Sequence, residues 1–192
     1  MPLLCSNELY CDHLGANEGD RQDILSFSVR GGRGEGLVNY LQRFAFLDEE
    51  NHDMRTYLVR DNQTSELAGY FSLKAGIASF NEEKSGDRTS FDTVPAIELA
   101  NFAVNDGYIQ RHPNSKGVGL GIFTNFIRPV IEDISSRAGV KIICIFALPF
   151  EGLIRRYTQY GFTRLEATHE VELHQRLKPR YDSGCVFMYQ ML

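Results

Sequence analysis

No stretch of this 192-residue sequence approaches the roughly 18 consecutive apolar residues of a membrane-spanning helix, so no membrane partner is expected. The N-terminus, Met-Pro-Leu-Leu-Cys-Ser-Asn-Glu, lacks the basic region and apolar core of a signal peptide, which points to a cytoplasmic protein. The four cysteines, Cys5, Cys11, Cys144 and Cys185, show no Cys-x-x-Cys spacing, and reduced thiols are expected. Histidines at metal-ligand spacing are also missing. His169 and His174 are five residues apart, off register for one helical face, so no metal site is expected. A basic surplus is absent too. The net charge of −5 weighs against a protein that lives on nucleic acid, because phosphate contacts need a basic surface. The basic islands 30–33 and 111–116 read as solvated loops.

What is present suits one globular domain spanning residues 1–192, with 43% hydrophobic residues to build its core. No internal repeat or linker interrupts it. Residues 1–33 are rich in turn formers and give weak signals. Leu37, Leu41, Phe44 and Ala45 predict an amphipathic helix over about 35–47. Strands are expected at 55–60, 66–78, 96–104, 140–147 and 184–191, and the polar stretch 81–93 reads as a flexible loop. Ile122, Phe123, Phe126, Ile127, Val130, Ile131 and Ile134 recur at helical spacing, with Pro129 inside the stripe, so a kink is expected there. A further helix is expected over 150–160. The result is an α/β chain with a mixed sheet.

Between the 96–104 strand and the helical stripe lies Lys116-Gly-Val-Gly-Leu-Gly121. A glycine-rich turn feeding a helix N-terminus is suited to phosphate. Glycines permit close backbone approach, and unpaired N–H groups and the helix dipole face the anion. The turn is not a P-loop, since no Lys-Ser or Lys-Thr follows, and its alternating glycines do not fit Gly-x-Gly-x-x-Gly. A tight connection whose glycines only relieve crowding is the plainer alternative.

The strand ending Phe102-Ala-Val104, followed by this turn, resembles the acetyl-CoA-binding motif of the GNAT N-acetyltransferase superfamily, with Lys116 where Gln or Arg is usual. A second resemblance follows the next strand: Tyr157-Thr-Gln-Tyr-Gly161-Phe162 looks like the family's Tyr-x-x-x-Gly-Phe turn. The resemblance covers residues 55–165 or so and implies a GNAT fold, a central mixed sheet with a splayed strand pair flanked by helices. It also implies acetyl-CoA as cosubstrate. Phe102, Ala103 and Val104 would offer backbone groups to pantetheine. Lys116, Gly117, Val118, Gly119, Leu120, Gly121 and Ile122 would surround the pyrophosphate. Phe150 and Leu153 stand where relatives carry Asn and Ala.

Acetyl transfer to an amine requires deprotonation of the amine, polarisation of the thioester carbonyl and reprotonation of the thiolate. Glu98 interrupts an apolar strand, and burial there raises a carboxyl toward the range of a base. By resemblance it matches a glutamate base six residues before Val104. The alternative is a structural carboxylate at a strand end. Tyr157, four residues before Gly161, matches the tyrosine that protonates the leaving thiolate; the alternative is a packing tyrosine beside Leu153 and Ile154. Tyr70, Phe71 and residues 81–95 are placed beside the acceptor.

The expected function is therefore direct acetyl transfer from acetyl-CoA to a primary amine of a small molecule or protein. Tyr70-Phe-Ser-Leu-Lys-Ala75 also looks like the toxin branch of the superfamily, which acetylates aminoacyl-tRNA and is neutralised by an antitoxin. Asn101 and Glu98 depart from that branch, which has Arg and an apolar residue there. A non-catalytic acyl-CoA-binding module is the third expectation. Residues 167–182 are expected either to close the active site or to build a homodimer interface.

Overall fold

The computed structural model describes the backbone of residues 3–85, 88–176 and 184–192, with side chains except those of 33 and 80–91. The strands are β1 (Leu4–Cys5), β2 (Leu9–His13), β3 (Arg55–Asp61), β4 (Leu67–Ser85), β5 (Arg88–Val104), β6 (Ile142–Ala147), β7 (Thr163–Arg164) and β8 (Val186–Met191). They form one mixed sheet in the order β1-β2-β3-β4-β5-β6-β8-β7. The helices are α1 (Asp20–Asp23), α2 (Glu35–Arg43), α3 (Ala45–Glu50), α4 (Asp106–Arg111), α5 (Val118–Ile122), α6 (Arg128–Arg137), α7 (Glu151–Gln159) and α8 (Ala167–Arg176). Among the described residues no helix is long and apolar enough to cross a membrane.

The chain divides into two compact units, Met1–Lys74 with Leu99–Val130, and Ala75–Glu98 with Ile131–Leu192. In the first, Ile24, Phe27, Tyr40, Leu41, Leu58 and Tyr70 form the centre of the core. Tyr70 and Phe71, expected beside the acceptor, are both fully buried. The Tyr70 hydroxyl donates to the Leu37 carbonyl at 2.7 Å, and Phe71 stacks on Tyr57 with ring centres 4.7 Å apart. An aromatic pair on a strand reads equally well as core or as rim, and here each such ring buries about 150–250 Å². A buried ion pair, Arg60 to Asp20 at 2.7 Å, ties α1 to β3.

In the second unit Ala78, Ile142, Cys144, Leu173 and Phe187 form the core. β6 pairs with β5 in parallel over Ala96–Glu98 and with β8 antiparallel along its length. β7 adds to β8 through Thr163–Tyr189.

Three expectations are corrected. Residues 81–93 are not a loop in their described part: β4 runs to Ser85 and β5 begins at Arg88. Polar composition hid the strands, because a ladder is made by backbone groups that carry no composition signal. The kink expected at Pro129 takes another form. Phe123–Ile127 is a π-helical turn, and the Arg128 N–H reaches back to the Phe123 carbonyl. Widening the ladder just before a proline relieves its ring from the preceding turn. The single helix expected over 35–47 divides at Phe44 into α2 and α3. Residues 177–182, within the segment weighed as lid or dimer interface, lie outside the described residues; the preceding part is α8.

Candidate functional site

The glycine turn is built from the end of β5. Asn105 leaves the strand with extended backbone and caps α4, its side-chain oxygen accepting from Gly107 N–H at 3.1 Å. Its amide nitrogen donates to the Leu67 carbonyl at 2.7 Å, and its oxygen also accepts from Ser28 N–H at 3.3 Å. This buried residue was not singled out in the sequence. Asn directly before Asp-Gly at a strand end is an N-cap signal that could have found it.

After α4 the chain makes consecutive turns, Ser115 N–H to His112 O at 2.9 Å and Lys116 N–H to Asn114 O at 2.8 Å. It then reaches Gly117 at φ 77°, a left-handed conformation that suits glycine. The first-turn N–H groups of Val118, Gly119 and Leu120 have no acceptor within the helix. Gly121 differs, since its N–H is spent on the Gly117 carbonyl at 2.9 Å. A Cβ added at Gly117 or Gly121 would meet nothing within 4 Å, so space lies open at both. Lys116 is exposed, while Ile122 is fully buried. The Ile122 side chain packs so closely on Gly69 that a Cβ there would lie 2.7 Å from its Cδ1. Ile122 therefore anchors the turn to β4 by its side chain.

The strand backbone has a definite parity. Asn105 N–H donates to Ala68 O at 2.9 Å, and the Ala103 carbonyl lies against Gly69. Odd-numbered residues at this end thus turn their polar backbone to β4. Alternation turns Phe102 and Val104 to the other edge. Of the three residues expected to meet pantetheine, only these two face that way. The parallel pairing with β6 ends at Glu98–Cys144, although β5 continues to Val104.

In the second unit, Glu98 is half-buried and stands opposite Cys144. Burial pushes the Cys144 thiol up, and the Glu98 charge adds to the effect. Tyr157 is buried on α7, with Tyr160 and Phe162 edge-on at 6.0 and 5.7 Å. Burial, with a smaller contribution from Tyr160, pushes its phenol above the ordinary range, so it holds its proton at neutral pH. Phe150 precedes α7 with extended backbone, and its carbonyl accepts from Leu153 and Ile154 N–H, both at 2.9 Å. After α7 the Phe162 N–H returns to the Tyr157 carbonyl at 3.0 Å, across Gly161 at φ 94°. This helix stop fixes Phe162 against the tyrosine ring. Gly161→Ala is expected to destabilise the protein by about 1–2 kcal/mol, since the left-handed backbone is costly for any Cβ. Thermal unfolding checks it, and an unchanged midpoint would contradict the assignment. Among the described residues no His, Cys, Asp and Glu gather as a metal site, and no disulfide joins Cys5, Cys11, Cys144 or Cys185.

No protein-family model matches the chain. Among solved structures it is similar to a tyrosine-to-phenylalanine mutant of KacT, at 17% identity over 94% of each chain with a TM-score of 0.66. It is similar to AtaT complexed with acetyl-methionyl-tRNAfMet, at 16% identity over 93% of each chain with a TM-score of 0.65. A mutant AtaT toxin bound to acetyl-CoA and the C-terminus of the antitoxin AtaR matches at 17% identity, over 94% of this chain and 92% of that one, with a TM-score of 0.63. The expectation against nucleic acid rested on net charge and finds no support in these neighbours. At such identities the likeness is one of fold alone, a fold shared with KacT and AtaT.

Proposed function

We propose that the chain is an N-acetyltransferase that moves an acetyl group from acetyl-CoA to a primary amine by direct attack. The observation that carries this reading is the open glycine turn at the exit of β5, with the N–H groups of Val118, Gly119 and Leu120 unspent within the helix. In this reading the pyrophosphate rests on those N–H groups with Lys116 beside it. Gly117 and Gly121 supply space, and Phe102 and Val104 present backbone groups to pantetheine. Glu98 takes the proton of the attacking amine. The amine nitrogen bonds to the acetyl carbon, the carbon–sulfur bond breaks, and Tyr157 gives its proton to the departing thiolate.

The acceptor we favour is the amino group of an aminoacyl-tRNA. Similarity of fold to AtaT, whose complex with acetyl-methionyl-tRNAfMet is known, supports it. The same similarity favours an antitoxin as partner, since an AtaT toxin binds the C-terminus of AtaR. Incubating the protein with labelled acetyl-CoA, charged tRNAs and a panel of small amines tests the choice. Label transferred to charged tRNA alone is expected. Label on small amines alone would return the assignment to a general acetyltransferase.

A further inference from the structure

The approach to the glycine turn is held by a polar cluster that joins the β3–β4 turn to α4. Glu66 accepts from His112 Nε2 at 2.8 Å with one carboxylate oxygen and from Arg111 Nε at 3.2 Å with the other. Beside it, the Tyr108 hydroxyl donates to Asp61 at 2.8 Å, and the Tyr108 ring stacks on His112 with centres 4.3 Å apart. The β3–β4 turn that carries both carboxylates is itself stiff. Asp61 accepts from Gln63 and Thr64 N–H at 2.8 and 2.9 Å, and Asp61 and Glu66 close a backbone bond of 3.0 Å. Ser65 is held at φ 58°, a left-handed conformation rare for serine.

On the other side of the cluster, His112 is the last link before the consecutive turns that end at Lys116 and Gly117. Each turn is closed by its own backbone bond, so a displacement of His112 is transmitted to the N–H groups of Val118, Gly119 and Leu120. A site that binds by several aimed donors is sensitive to such shifts.

The geometry points to Glu66 and His112 as positioning residues that hold the glycine turn in the arrangement that grips acetyl-CoA. This inference rests on the acetyltransferase reading above. Neither residue is expected to touch the cosubstrate or the acceptor. Both are partly exposed, with side-chain exposures of 31% and 28%, so their replacement leaves the core intact.

The test is acetyl-CoA affinity of the full chain, measured calorimetrically for the wild type, Glu66→Ala, Glu66→Gln, His112→Ala and the Glu66→Ala/His112→Ala double variant. Loss of a charge-assisted pair predicts about tenfold weaker binding in Glu66→Ala. Glu66→Gln, which keeps acceptor oxygen for one donor, is expected to recover part of the loss. The double variant is expected to bind about as weakly as Glu66→Ala alone, because each single change already opens the same link. Unchanged affinity in both alanine variants, or losses that simply add, would overturn the inference while leaving the acetyltransferase reading intact. A wild type that binds no acetyl-CoA would overturn that reading, and this inference with it.

Discussion

Gly119→Glu is expected to abolish acetyl-CoA binding while leaving the fold in place. Gly119 is half-buried in the first turn of α5, between two residues whose N–H groups are unspent within the helix. A glutamate there brings a side chain into the close approach the glycine permits. It also sets a negative charge beside the pyrophosphate, in the field that the helix terminus had made favourable for an anion. Both effects act on the bound state. The free protein has reason to tolerate the change, since carboxylates near a helix N-terminus are stabilising by about 0.3–1 kcal/mol. Titration with acetyl-CoA, alongside thermal unfolding, separates the two. Retained binding in a folded variant would move the cosubstrate away from this turn.

Tyr157→Phe has the second large expected effect. It removes one oxygen and keeps the ring that packs edge-on against Tyr160 and Phe162. If the phenol protonates the leaving thiolate, turnover is expected to fall by about ten- to ten-thousand-fold with little change in acetyl-CoA affinity. Its proton is firmly held, because burial pushes the phenol above the ordinary range. It therefore stays protonated across the neutral range and supplies the acid without a pH-dependent loss there. An unchanged rate would leave Tyr157 as a packing residue that closes α7 onto Phe162.

The parts of the fold that were legible in the sequence are those where composition and geometry coincide. Residues 96–104 are apolar apart from Glu98 and Asn101 and lie in a strand. The alternating glycines at 117, 119 and 121 mark the turn because Gly117 adopts a conformation few other residues tolerate. Gly161 marks the stop after Tyr157 for the same reason. Legibility failed where backbone bonds act without a composition signal. β2, Leu-Tyr-Cys-Asp-His, mixes polar and apolar residues and is held by its pairing with β3. The polar ends of β4 and β5 read as a loop for that reason too. Tyr70 and Phe71 were placed beside the acceptor because aromatic residues serve cores and sites alike, and only the packing decides. Within the candidate site, parity along β5 separates Ala103 from Phe102 and Val104, which sequence alone treats as equivalent. The pair Glu66–His112 joins residues 46 positions apart and had no sequence signal at all.

The central claim is that this chain binds acetyl-CoA through the glycine turn, and calorimetric titration of the purified protein with acetyl-CoA tests it most directly. Saturable binding of one acetyl-CoA per chain is the predicted result. The absence of saturable binding would contradict the account and leave a GNAT fold whose function lies elsewhere on its surface.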